Sequence, residues 1–494
     1  MKRLTLFTIT LLMASFLSAQ EMLTIDQTLD IAMKNSPDIR QAENSMNRSL
    51  QNLNAQKARQ KSQFSLRTSP LTMSYENKYD TRGDNYYDDQ NFGSNADFRV
   101  LQPLVATGGE LLLSNNFGYG YNKNNNSVDG SWNETNNFSN NLSLSFNQPL
   151  FTYNNLKVQY EELKLDYENS AIQFALTKMN LERQVRQLFY NVYQQQQSLL
   201  IAQEDLKNNE ESYDIIKNKV DGGLSALEEL YQAELNVATS KSDLYNQQVQ
   251  LQNAKDNFLY QIGDDIDKDI MVITDITVNK VDVDPKIAVE MGLKNRLELR
   301  QREIDIQNST FSLIRAKTTN EFSGSVAATV GVYSNSGDIN TMFNDQNTRV
   351  QPNLSFSFDI PLFDWGERKA TIKSAELALD NSKMSMEFQQ SEIVLGIREI
   401  IRNLTNLYNQ VEIARKSVEN AQLTYDINLE RYKNGDLTSM DLRLFQNQLT
   451  SQKNSLTNTI INYNLELLNL KIQTLYDFVN NKPVIPEVIN NDKK

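Results

Sequence analysis

The sequence predicts a mixed fold in two internal repeats: a long antiparallel α-helical coiled-coil barrel plus a transmembrane β-barrel to which each chain contributes about four strands. Three observations carry that prediction. The 79 residues from Leu142 to Val220 recur without a gap as Leu354 to Tyr432, a constant offset of 212. Each copy opens on an alternating, strand-like segment, LSLSFNQPLF at 142–151 and LSFSFDIPLF at 354–363. Each then runs into a heptad pattern long enough for a helix of about 100 Å, at about 1.5 Å per residue. A repeat of this length decides architecture before any local propensity does.

Taken in chain order, residues 1–19 read as a signal peptide. Lys2 and Arg3 precede an apolar run from Leu4 to Leu17, and Ser18-Ala19 supplies a small-residue cleavage site. The run is too short to span a bilayer, and no later stretch approaches the roughly 20 apolar residues a membrane helix needs. An exported chain without an inner-membrane anchor is expected. It has no cysteine and no histidine. That rules out a lipid on Cys, Ser-His-Asp and Cys-His catalysis, and the commonest zinc and copper ligands. No cofactor, no metal and no enzymatic activity are expected. The net charge of −13 speaks against nucleic acid as a partner, since that calls for a basic patch.

Repeat one is expected over 20–263 and repeat two over 283–479, with 264–282 as a linker that is acidic and solvated at first and then strand-like, and 480–494 as a flexible tail. The first helix, 24–61, contains MKNSPDIRQAE at 33–43; LKNRLELRQRE at 293–303, in a helix over 284–317, echoes it at an offset of 260. The change of offset leaves repeat one 48 residues longer between its first helix and its last strand. The excess falls in 64–141, rich in Asn, Gly and Tyr, and reads as an exposed loop. Which part of 64–121 forms the first strand stays open.

Strands are expected near 110–121, 139–148, 324–334 and 350–360. Leu142, Leu144 and Phe146 alternate with Ser143, Ser145 and Asn147, as Leu354, Phe356 and Phe358 do with Ser355, Ser357 and Asp359. Period-two alternation gives one apolar and one wet face. Half-buried strands of a soluble sheet would show it, and so would barrel strands with lipid outside and water inside. The export signal, the aromatic content and the missing soluble core favour the barrel. Pro149 and Pro361 close the strands, because proline lacks the ladder donor and its fixed φ suits a nearby helix start.

The long helices are expected over 154–221 and 366–434. Their seam positions, among them Leu181, Val185, Leu188 and Val192, and Ile393, Ile397, Ile400 and Leu404, alternate spacings of four and three, the mark of a coiled coil. Shorter helices follow over 226–262 and 439–478. The turns between are Asp221-Gly222-Gly223-Leu224-Ser225 and Asn434-Gly435-Asp436-Leu437-Thr438. Glycine supplies the left-handed stop, and Ser225 or Thr438 can cap the next helix.

With these parts assembled, the chain resembles the outer-membrane efflux protein family, the TolC-like channels. The resemblance rests on the repeat, the Pro-Leu-Phe junctions at 149–151 and 361–363, the glycine-containing turns, and the acid–leucine starts Glu229-Leu230 and Asp441-Leu442. The family's glycine after Pro-Leu-Phe is matched by Gly366 and replaced by Asn154, which also tolerates left-handed geometry. The resemblance implies a homotrimer with an α-helical periplasmic tunnel gated at the helix tips. Asp441 matches the first acidic ring of the tunnel entrance, Glu229 is its counterpart in repeat one, and the second ring position is Leu444. Tyr432 matches a tyrosine that helps hold some members closed, whose arginine neighbour is Leu437 here.

The function implied by this resemblance is a passive, gated exit duct of a tripartite efflux or type I secretion system in the outer membrane of a Gram-negative-type cell. Its expected partners are a periplasmic adaptor protein touching Gly222, Gly223, Leu224, Ser225, Gly435, Asp436, Leu437 and Thr438, an inner-membrane transporter of RND or ABC type indirectly, and outer-membrane lipid. A structural coiled-coil stalk or adhesin is the alternative; it accounts for the heptads but not for paired strands closed by Pro-Leu-Phe.

Overall fold

The structure, a computed structural model, describes residues 21–81, 84–125, 131–274 and 277–484. The signal peptide expected at 1–19 and positions 485–494 of the expected tail lie outside the described residues. The chain divides into two units. One comprises Met1–Met46, Ser170–Gln301 and Met386–Lys494, the other Asn47–Asn169 and Arg302–Ser385.

The first unit is helical. Thr24 starts α1 (Ile25–Asn35) with a capping box, trading hydrogen bonds with Gln27. The helix expected over 24–61 is two: Ser36 turns extended and α2 (Pro37–Arg59) begins on a proline, which has no N–H to continue the ladder. Repeat two breaks at the equivalent place, between α5 (Pro285–Asn295) and α6 (Leu297–Lys317), where Arg296 is extended without any proline. The strand-like part of the linker 264–282 forms β6 (Ile270–Val272), parallel to β1 (Glu21–Leu23). Ile270 and Val272 are buried there among apolar neighbours, which outweighs the acidic composition around them.

The long helices are α3 (Asn155–Asp221) and α7 (Glu367–Asn434), followed by α4 (Leu227–Ile262) and α8 (Ser439–Thr474). Helix α8 ends short of residue 478 because Leu475 turns left-handed. Tyr476–Asp477 (β9) and Lys482–Pro483 (β10) then pair antiparallel, so residues 482–483 of the expected tail are strand. Burial follows the predicted seam: Ile393, Ile397, Leu404, Val411, Ala421, Tyr425 and Tyr432 of α7 are all buried. Two apolar clusters repeat one another. Val185 and Phe258 anchor one, Ile397 and Leu470 the other, each pair at the repeat offset of 212. A third cluster joins the halves through Ile216 and Ala233 on one side and Tyr432 and Leu442 on the other.

The second unit carries a six-stranded antiparallel sheet in the order β2 (Gln63–Asp80), β3 (Asn85–Leu104), β4 (Gly109–Asn125), β5 (Trp132–Leu150), β7 (Ser323–Ser336), β8 (Thr348–Asp359). Six strands stand where about four were expected, and most of the loop expected over 64–141 is strand. Composition hid the alternation because asparagines are tied across the ladder. The Asn122 amide donates to Asp89 Oδ1 at 2.5 Å and Asn91 Oδ1 at 2.6 Å. The register places Phe64, Val100, Leu113, Leu144 and Val330 in line across one face. The other face carries Arg99 paired with Asp97 at 2.5 Å, and Thr329 donating to Ser145 at 3.1 Å. A bulge between Ser69 and Thr72 brackets Pro70, a place where a missing N–H costs little.

Pro149 lies inside β5, opposite Ser325, one residue before that strand ends; Pro361 follows the end of β8. At the second junction Trp365 and Gly366 are left-handed, with φ of 54° and 89°, and Asp364 accepts the N–H groups of Gly366 and Arg368. At the first junction the left-handed residue is Phe151, φ 58°. Asn154, expected to supply left-handed geometry, instead accepts the Lys157 N–H at 3.0 Å and donates to Val105 O at 2.7 Å. A side-chain amide that caps the helix and ties down a loop stands where a glycine would only turn.

Candidate gate at the paired helical tips

Both tips end their long helix in the same way. Gly223 (φ 70°) and Gly435 (φ 89°) are left-handed. Leu224 N–H returns to Lys219 O at 2.7 Å, and Asp436 N–H to Arg431 O at 3.0 Å, the paired closure of a Schellman stop. Gly222 keeps an ordinary φ, so only one glycine of its pair is needed for the turn.

The starts of the next helices differ. Thr438 caps α8, accepting Asp441 N–H at 3.2 Å and donating to Asp441 Oδ2 at 2.7 Å. The cap position of α4 falls on Ala226, which has no side-chain acceptor. Ser225, expected as a cap, lies one residue earlier and donates to Glu229 Oε2 at 2.9 Å. Glu229 and Asp441 therefore each hold a hydroxyl of their own tip, and both carboxylates line one groove of about 460 Å³ with Lys219, Leu437 and Asp436. Leu224 at the rim is 83% exposed.

Tyr432 is fully buried between the hairpins. Its hydroxyl donates to Ser212 O at 3.2 Å, and its carbonyl accepts from Lys219 Nζ at 2.5 Å. The same ammonium lies 5.0 Å from the ring centroid, within cation–π range. Burial, reinforced by the Glu229 carboxylate, pushes the phenol up to about 12. Leu437 offers no charge to this tyrosine; the positive partner is Lys219, from the other repeat. Nothing in the sequence pairs residues 213 positions apart except the offset itself, which sets Lys219 one place before Val220, the counterpart of Tyr432.

A polar layer crosses the helices farther from the tip. Asp205 accepts from Asn209 Nδ2 at 3.2 Å, Ser240 Oγ at 2.9 Å and Gln446 Nε2 at 2.6 Å. Asn209, Ser240 and Gln446 are buried, and Arg443 reaches Asn236 across the same contact. Asn209 sits on the predicted seam, and a polar residue at a seam position was the one available signal for this layer.

Long paired hairpins with braced tips occur on the same chain as a sheet with one apolar face and, among the described residues, two open edges, the parts of an outer-membrane efflux protein. The chain belongs to the outer membrane efflux protein family, whose profile matches residues 106–262 and 289–471. It is 22% identical over 295 residues to the cation efflux system protein CusC of Escherichia coli K12, covering 59% of this chain and 62% of CusC. It is 24% identical over 135 residues to the outer membrane protein TolC of the same organism, 27% of each chain. The chain thus spans about three fifths of the first relative and a quarter of the second. Among solved structures, the Campylobacter jejuni CmeC outer membrane channel superposes with a TM-score of 0.69 at 16% identity, covering 95% of this chain and 88% of CmeC. A CusC crystal structure gives 0.66 at 17% identity, with 91% of each chain covered. These last two likenesses are of fold.

Proposed function

We propose that the protein is the outer-membrane exit duct of a tripartite exporter, a passive gated channel assembled as a homotrimer. The observation that carries the reading is the sheet: one face apolar across all six strands, the other polar, and, among the described residues, no further strand paired to either edge. Open edges cannot remain in hydrocarbon, where each unpaired N–H and C=O costs several kcal/mol, so strands from other copies must complete the ring. Aromatic contacts near the sheet's junction end, Phe151 with Phe322 and Phe363 with Trp365, and Tyr79 with Tyr86 at the opposite end, suit the two interfacial girdles of such barrels.

The helical tips serve as gate and docking surface. A periplasmic adaptor binds Gly222 to Ser225 and Gly435 to Thr438, and an inner-membrane transporter of RND or ABC type supplies the energy. Three copies each of Asp441 and Glu229 around the entrance favour cations. CusC is named for cation efflux, which makes metal cations the first cargo to try. The test is reconstitution of the purified protein in planar bilayers. Cation-selective conductance that falls in Asp441→Asn supports the reading; an elongated, water-soluble oligomer without conductance rejects it in favour of a stalk.

A further inference from the structure

The two outermost strands of repeat one repeat the two beside them. Gln63–Leu104 and Gly109–Leu150 are hairpins of equal length related by a constant offset of 46. Gln102-Pro103-Leu104 returns as Gln148-Pro149-Leu150. The glutamine does the same thing in both: Nε2 donates to the carbonyl of the following proline, at 2.7 Å and 2.8 Å. The apolar face repeats as well. Phe92, Phe98 and Val100 correspond to Phe138, Leu144 and Phe146, and all six lie on one side of the sheet by register. From the bulge in β2 onward, Leu71, Met73 and Tyr75 correspond to Phe117, Tyr119 and Tyr121. The excess of repeat one over repeat two is therefore close to one hairpin. The family match begins at residue 106, after β3 has ended.

We infer that β2 and β3 are a duplicated barrel hairpin, and that three copies of the chain close one eighteen-stranded barrel by pairing β2 of each copy with β8 of the next. This rests on the trimeric duct reading above. An even number of strands sets β2 and β8 in opposite directions, so the closing pair is antiparallel like the rest. Both edges offer the same apolar face to lipid: Phe64 and Leu66 are 71% and 67% exposed, Leu354 and Phe356 62% and 61%. A soluble appendage would gain nothing from that face. With strands about 4.8 Å apart and tilted about 40°, eighteen give a backbone diameter of about 36 Å and twelve about 24 Å. The barrel backbone is thus about 1.5-fold wider than four strands per chain would make it.

The chain has no native cysteine, so introduced thiols report without background. Ser355→Cys on β8 is combined in turn with Ser65→Cys, Arg67→Cys, Ser74→Cys and Glu76→Cys along β2, and separately with Ser114→Cys and Asn116→Cys on β4. Each full-length variant is oxidised in the membrane and run on a denaturing gel, while cryo-electron microscopy of the unaltered protein in nanodiscs counts strands. The expected result is an eighteen-stranded ring, with covalent trimers from a β2 position and none from β4. A trimer with twelve strands, or cross-links from β4 alone, overturns the inference and leaves the duct reading standing. A particle that stays monomeric overturns the duct reading itself.

Discussion

Lys219 Nζ sits 2.5 Å from the carbonyl oxygen of Tyr432 and 5.0 Å from the centre of its ring. One ammonium therefore caps the C-terminal end of the opposing long helix, where carbonyl dipoles concentrate negative potential, and covers the face of the aromatic side chain that wedges the hairpins together. This cation braces the two repeats at their tips.

Removing the ammonium should loosen the tips. Lys219→Met keeps the length of the stem but loses a charge-assisted hydrogen bond and a cation–π contact, together about 1–2 kcal/mol at a partly exposed site. The closed state should weaken about 5- to 30-fold against the open one. Single-channel open probability in a bilayer reads this directly; a Lys219→Met channel that opens no more often than wild type refutes the brace.

The phenol of Tyr432 sets an alkaline limit on the packing of the tips. Its folded value is raised from 10.0 to about 12 by burial and by Glu229, so the native state holds a proton that the freed side chain would lose. Stability from this group is complete below about pH 10 and is lost as pH rises towards 12. Tyr425 is raised to about 12 as well, chiefly by burial and then by Glu211 and Asp205. Proteolysis of the tips should therefore accelerate above pH 10, less steeply in Tyr432→Phe, and not through this route in the Tyr425→Phe, Tyr432→Phe double variant.

The unequal caps make opposite predictions at equivalent places. Thr438→Ala removes the acceptor for Asp441 N–H and should cost about 1 kcal/mol. Ala226→Ser supplies an acceptor at an extended residue that lacks one and should gain about 0.5–1 kcal/mol. Amide exchange in the first turns of α8 and α4 separates the two effects.

The polar layer should behave as one unit. Asp205→Ala removes the carboxylate that accepts from Asn209, Ser240 and Gln446, leaves both amides their bonds to the Asp205 backbone carbonyl, and should cost about 1–2 kcal/mol in chemical denaturation. Gln446→Ala added to it should cost much less than it does alone. Additive losses would mean that the contacts act separately.

Much of this was open to reading in the residues. The offset of 212 placed the long helices, the seam and both turns, because a heptad repeat and a glycine stop are local chemistry that states itself in spacing. Gly223, Gly435 and Thr438 do what their types promise. The Asn-rich stretch misled because composition reports solvation while strand formation depends on alternation, and asparagine serves both. Ser225 and Asn154 missed their expected roles by one position and by one conformation, margins that residue type does not resolve. Lys219 carries no signal of its own in the sequence, because its partner lies in the other repeat.

The sequence by itself determined the twofold plan, the helices and their stops, and the membership of strands with one apolar face. Only the tertiary structure decided which residues meet across the repeats: Lys219 on Tyr432, Gln446 on Asp205, and β5 beside β7. Periodicity is a property of neighbours along the chain, whereas those meetings depend on how helices and strands distant in sequence pack, and a linear pattern carries no record of the facing side.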